Sequence, residues 1–191
     1  MNKSDSICKY ILSFIFIFIL VGILIYVNNN QVDAIEATSN REKNGGCSIL
    51  IYTNNVVDEY QDIYQKMAEA IHQELSNRGN TVTVSSELLD GYDIVFEIGF
   101  TTETGISTYY YQEDYEKLAG IIQDSISLST YASNHGISYS EVESSLMFSI
   151  HLGNLYNKEE LHNLSSSSYQ KRIAEGIANG IEEYLESCKS M

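Results

Sequence analysis

The side chains best suited to hold a metal or move a proton in this chain are its four histidines, His72, His135, His151 and His162. Imidazole ligates metals and titrates near neutrality, and a hydrolytic zinc site needs roughly three converging N/O donors with one position left for water. No His-x-x-x-His or His-Glu-x-x-His pair occurs, and Cys8, Cys47 and Cys188 have no metal-ligand spacing. Nucleophilic serine chemistry has no Gly-x-Ser-x-Gly elbow to sit on. A relocated site would have to use His151 and Glu97, and no motif spacing supports that pairing.

These residues need elements to carry them. Ser48–Tyr52 reads as a buried first strand. A helix follows, with Ile63, Met67, Ile71 and Leu75 in one stripe, Asp58 and Glu59 at its positive end and Gly79 stopping it. Thr81–Val84, Asp93–Ile98 and Ser107–Tyr111 read as strands, and Asp114–Leu128 as a helix with Leu118, Ile121, Ile122 and Ile126 inward. Leu146–Ile150 is a further apolar run of strand length. It leads into a turn with Gly153 and Asn157, an acidic one-turn stretch at Lys158–Leu161 and a serine run. The closing helix starts with Ser168 as its cap and carries Ile173, Ile177, Ile181 and Leu185 on one face. Period-two alternation keeps Glu97 on the same face as Gly99, His72 points to solvent and His162 lies on the closing turn. Strands alternating with crossover helices predict a single α/β domain with a mixed, mostly parallel sheet of about five to six strands flanked by helices.

The last part of that order carries a resemblance. Gly153-Asn154-Leu155-Tyr156-Asn157, then Lys158-Glu159-Glu160, then Ser168-Tyr169-Gln170-Lys171-Arg172-Ile173-Ala174-Glu175-Gly176-Ile177 resembles the closing turn and helix of the zinc-dependent N-acetylmuramoyl-L-alanine amidases of bacterial cell-wall turnover. Gly105–Gln112 is similar to that family's Gly-x-x-x-Tyr-Tyr strand, and Lys117-Leu118-Ala119 with Ile122-Gln123-Asp124-Ser125 to its Leu-Ala-x-x-Ile-Gln helix. Asn134-His135-Gly136-Ile137 sits where the family has Arg-Gly-Val/Ile. The likeness extends over nearly all of residues 48–186.

The resemblance implies a zinc held by two histidines and a glutamate, with a second glutamate as general base. The metal would lower the pKa of its bound water to about 7, and the carboxylate would take the proton as that water attacks the amide. At the matching positions, Asn55 stands for the first histidine, Gly99 for the second and His151 for the catalytic glutamate. Glu59 is a weak candidate for the ligand glutamate and reads more plainly as a helix N-terminus carboxylate. The loop before Glu59 and the segment 85–92 are both shorter than the family's. No metal ligand set and no catalytic residue is therefore expected, His151 is read as a polar residue left at a former site, and zinc belongs to the alternative reading alone.

The remaining sequence sets the context. Tyr10–Val27 is interrupted only by Ser13 and Gly22, and it is long enough to cross a hydrocarbon core of about 30 Å. Lys3 and Lys9 precede it while Asp33 and Glu36 follow, which predicts a cytoplasmic tail at 1–9, an anchor at 10–27, a polar tether at 28–46 and an extracytoplasmic domain at 47–191. A signal cleaved near Val32-Asp33-Ala34 is the competing reading, and it exports the domain as well. Cys47 and Cys188 could pair if the first strand and last helix end close together, and free cysteines acting as small hydrophobes are the plainer reading. The formal charge of −15 argues against nucleic acid as partner, because that binding rests on cationic contacts to phosphate.

Three functions follow as expectations. The first is a single-pass, membrane-anchored amidase-like domain in peptidoglycan metabolism, spore cortex included, that is non-catalytic and binds glycan or an envelope protein. The second is an active amidase with a non-standard metal site, and the third is a structural or assembly protein of the envelope.

Overall fold

The computed structural model describes residues 46–53, 58–142 and 145–189, which fall within one compact unit, Gly45–Met191. The tail, the Tyr10–Val27 segment, most of the tether, and Asn55 lie outside the described residues. Among the described residues no helix is long and apolar enough to cross a membrane.

Six strands form one sheet: β1 (Ser48–Tyr52), β2 (Thr81–Ser85), β3 (Ile94–Thr101), β4 (Ile106–Tyr110), β5 (Asn134–Tyr139) and β6 (Phe148–Asn154). Their order across the sheet is β2-β1-β3-β6-β4-β5, parallel throughout except for the antiparallel β4–β6 pair. The helices are α1 (Gln61–Asn77), α2 (Glu116–Thr130), α3 (Lys158–Leu164) and α4 (Ser167–Lys189), with one-turn 3-10 helices leading into α1 and α2. This is the α/β domain with a mixed, mostly parallel sheet that the patterning predicts.

Alternation divides the sheet into two unlike faces. Ile49, Ile51, Phe96, Ile98, Phe148 and Ile150 point to one side and pack against Met67, Ile71 and Leu75 of α1, Leu118, Ile122 and Ile126 of α2, and Ile173, Ile177 and Ile181 of α4. The opposite face has a small cluster, Leu50, Val95 and Leu146, roofed by Tyr52, Tyr92 and Tyr111. That asymmetry follows from the connections. The right-handed β1–α1–β2 crossover places its helix on the first face. The return from β2 to β3 must pass back over β1, and it does so as the short irregular stretch 86–93 with no helix.

The residues that carry the resemblance prove to be joints of the scaffold. Gln123 of α2 is 1% exposed; it accepts from Thr108 Oγ1 at 2.7 Å and donates to the Ile106 carbonyl at 2.7 Å and Asn134 Oδ1 at 2.8 Å. One amide thus ties α2 to β4 and β5. Gln170 likewise donates to the Leu164 carbonyl and holds α4 to the end of α3. Gln123→Ala would leave a buried hydroxyl and a buried carbonyl without this partner, and each such group costs about 1–3 kcal/mol. The variant should lose roughly 2–4 kcal/mol in urea unfolding, whereas a change below ~0.5 kcal/mol would show that the network contributes nothing.

Several expectations are corrected. Residues 134–139 form an edge strand where the sequence shows no alternating pattern, because the exposed edge leaves that pattern weak: only Gly136 and Ile137 are half-buried there. The run expected at Leu146–Ile150 is instead Phe148–Asn154, carried past Gly153 by pairing with β3. Ser168 does not cap α4. The Ser166 carbonyl accepts from the Tyr169 and Gln170 amides, and the Ser168 hydroxyl inside the first turn bonds that of Ser166 at 2.9 Å. Ile121 is half-buried rather than in the core. Cys47 is buried and Cys188 is exposed, and both keep their thiols, which is the plainer of the two readings and needs no correction.

Candidate functional site

In open α/β sheets ligands gather at the carboxyl ends of the parallel strands. Here those ends are Tyr52, Thr101 and Asn154 of β1, β3 and β6, and the expected site residues lie beside them. Gly99 and His151 are paired neighbours in the β3–β6 ladder. Both point to the face away from the helices, since Ile98 and Ile150 point into the core. Glu97 sits two residues back on the same face, paired with Ser149.

The space above Gly99 is already filled. A Cβ placed at Gly99 would meet His151 Cδ2 at 3.0 Å and Nε2 at 3.3 Å. The imidazole lies over the glycine, where a longer side chain from position 99 would have to pass. Its other neighbour is the ring of Tyr109, with centroids 4.8 Å apart and planes tilted by 50°. Neither ring nitrogen has a hydrogen-bond partner among the described residues. Burial pushes the His151 pKa down from the usual 6.5, so the ring is neutral near neutral pH.

That lowered pKa has a stability consequence. The unfolded chain takes up the proton near 6.5, whereas the folded chain takes it up only at lower pH. The contribution of His151 is therefore fully present above the unfolded value and is lost as pH falls through the folded one. His151→Gln should shrink the drop in urea midpoint between about pH 7.5 and pH 5; an unchanged drop would mean that His151 does not titrate in this range.

Glu59 lies in the 3-10 helix before α1 and is exposed. His135 and His162 are exposed, and His72 is half-buried on α1. Among the described residues no three His, Cys, Asp or Glu side chains come together in a way that could hold a metal ion. The side chains at Gly99 and His151 fit a zinc centre poorly: one has no donor, and the other occupies its neighbour's space.

Two features of the site have little signal in the sequence. Glu160 of α3 turns inward and accepts from the backbone amides of Gly105 and Asn154, both at 2.6 Å. It clamps the β3–β4 turn to the end of β6. Asn154 extends the clamp by donating to the Thr102 carbonyl at 2.6 Å. The Asn157 side chain caps α3 by accepting from Glu159 and Glu160 amides, which is what points Glu160 back at the strands. An acidic stretch at Lys158–Leu161 looks like a solvated turn in sequence, and only the fold shows one of its carboxylates half-buried and bonded to backbone amides. Tyr109 is the other, since a strand tyrosine next to His151 is visible only once the β4–β6 register is known.

This six-stranded order with its closing α3–α4 pair has solved counterparts. The fold is that of the N-acetylmuramoyl-L-alanine amidases. A family model described as N-acetylmuramoyl-L-alanine amidase matches residues 96–183, from β3 into α4. An N-acetylmuramoyl-L-alanine amidase from Clostridium difficile 630 superposes with a TM-score of 0.64 at 22% identity, covering 74% of this chain and 98% of that one. The catalytic domain of the amidase CwlV from Bacillus (Paenibacillus) polymyxa var. colistinus gives 0.61 at 19%, covering 73% and 98%. The CwlD amidase of Clostridioides difficile, in complex with the GerS lipoprotein, gives 0.62 at 15%, covering 74% and 100%. No curated protein sequence matches the chain. The amidase family match begins downstream of the segment where the first histidine is expected, so it bears on Gly99 and His151 and leaves Asn55 and Glu59 outside.

Proposed function

We propose that this chain is a membrane-anchored, extracytoplasmic amidase-like domain of peptidoglycan metabolism that has given up hydrolysis and works by binding glycan or an envelope protein. The observation that carries the non-catalytic part is the His151 imidazole lying over Gly99, 3.0 Å from where a Cβ would stand. Water activation by zinc needs several converging donors and an open coordination position, and a carboxylate to take the proton. At these two positions neither a donor set nor a carboxylate is supplied. The scaffold support comes from the fold likeness and from the family match over residues 96–183.

The exported, anchored placement rests on Tyr10–Val27 with its flanking charges. The binding role draws support from a neighbour of the same fold, CwlD, whose structure was solved as a complex with a lipoprotein. The test is cleavage of a purified muropeptide between muramic acid and L-alanine, in the presence of added zinc. No release of peptide above a no-protein control is expected. Zinc-dependent release abolished by His151→Ala would establish instead an amidase with a non-standard metal site.

A further inference from the structure

Two tyrosines meet at the carboxyl end of the parallel strands, the end at which α/β sheets hold their ligands. Tyr60 closes the 3-10 helix that leads into α1, and Tyr156 lies on the turn between β6 and α3. Their ring centroids are 6.0 Å apart and their planes stand at 87°. Both residues are held from behind. Tyr60 is half-buried and packs against the main core. The Tyr156 amide donates to Asn154 Oδ1 at 2.8 Å, and the next amide, that of Asn157, donates to the Asn154 carbonyl at 3.1 Å. Fixed in this way, Tyr156 is still 73% exposed.

Carboxylates accompany the pair. Exposed Glu59 precedes Tyr60, and exposed Glu159 stands in the first turn of α3, three residues after Tyr156. Burial, and after it the negative charge of Glu59, raises the Tyr60 pKa from its usual 10.0, so the field of that carboxylate reaches the phenol. The face of an aromatic ring is the negative pole of its quadrupole and attracts a cation within about 6 Å of the centroid. A group set in the angle between two perpendicular rings 6.0 Å apart lies within that reach of both.

We propose that the corner formed by Tyr60 and Tyr156, with Glu59 beside it, binds an alkylated ammonium group such as the trimethylammonium of choline. The chemistry of the corner selects that class. Anionic groups are repelled by the carboxylates and by a chain of formal charge −15. A neutral group of the same shape gains the ring contact without the attraction between charge and ring face. A primary ammonium is strongly hydrated and gives up more on leaving water. The inference goes beyond the binding role proposed above and has its own readout: muropeptide cleavage would remove the non-catalytic reading and leave this corner as it is.

The test is saturation-transfer difference NMR on the full chain in an uncharged maltoside detergent, titrated with choline labelled in its methyl groups. Choline is expected to bind at least about threefold more tightly than its uncharged carbon isostere, dimethylbutanol. Tyr156→Ala should weaken choline at least about threefold, while Tyr156→Phe, which keeps the ring, should hold it within about twofold. Glu59→Gln should weaken choline and leave the isostere unchanged. The control is Tyr139→Ala, in a second ring pair, Tyr110 with Tyr139, at 5.5 Å and 58°. That pair stands at the other end of the sheet, where Tyr110 is opposite Phe148 at the start of β6, and its loss should change nothing. Equal affinity for choline and the isostere, tighter binding of Nα-acetyl-lysine amide, equal loss in Tyr139→Ala and Tyr156→Ala, or no saturation of choline by folded protein would each overturn it.

Discussion

Replacing Gly176 with alanine is expected to destabilise the domain, although the same change in an open helix would stabilise it. An exposed helical Gly→Ala gains up to ~1 kcal/mol from backbone entropy. Here the added Cβ would stand 2.6 Å from Ile126 Cα and 3.0 Å from the Ser125 carbonyl, both backbone atoms of α2. Gly180, one turn on, meets Ile122 Cα at 2.7 Å. Backbone cannot step aside as a side chain can, so the two helices would have to move apart, and overpacking of this kind costs about 1–3 kcal/mol per site. The double variant Gly176→Ala/Gly180→Ala should lose about 2–6 kcal/mol, a large share of the stability of a domain whose total is on the order of 5–15 kcal/mol. Gly120 on α2 is the control: its Cβ would find only Ile137 Cδ1 at 3.7 Å, ordinary contact, so Gly120→Ala should be neutral or stabilising. Urea unfolding of the three variants decides it. Equal stability for Gly120→Ala and Gly176→Ala would show that α2 and α4 are not in the close contact described.

The second large effect concerns Gly99, where the resemblance places a histidine ligand. Gly99→His restores a donor where the resemblance places one, yet it should destabilise the protein by about 1–3 kcal/mol, because its Cβ arrives 3.0 Å from the His151 ring. Gly99→His/His151→Glu removes the obstructing imidazole and should recover most of that loss. The two substitutions are therefore expected to be strongly non-additive, as neighbours sharing one space are. A double-mutant cycle by thermal or urea unfolding measures the coupling. Simple additivity would mean that the imidazole does not obstruct position 99.

What the sequence shows and what it conceals divide along physical lines. Ser48–Tyr52 and the stripes of α1 and α4 are legible because burial imposes period two or near-four spacing on apolar residues. β5 is not legible, since an edge strand with exposed residues at Asn134, His135, Ser138 and Tyr139 has no such constraint. Nor is the true start of α4, because a run of four serines offers several equivalent caps and tertiary context chooses among them. At the site, that Gly99 and His151 stand where the resemblance implies a histidine and a glutamate can be read from residue identity once the strands are placed. Their mutual contact needs the β3–β6 register. Glu160 acts through backbone amides, which leave no trace in residue identity. The helix-free connection from β2 to β3 is foreshadowed by the short segment 85–92.

Zinc content of the purified protein, measured by elemental analysis after dialysis against excess zinc and then metal-free buffer, bears most directly on the proposal that this domain holds no metal centre. Well below one zinc per chain is expected, unchanged by His151→Ala or Glu59→Gln. One zinc per chain, lost in either variant, would contradict it.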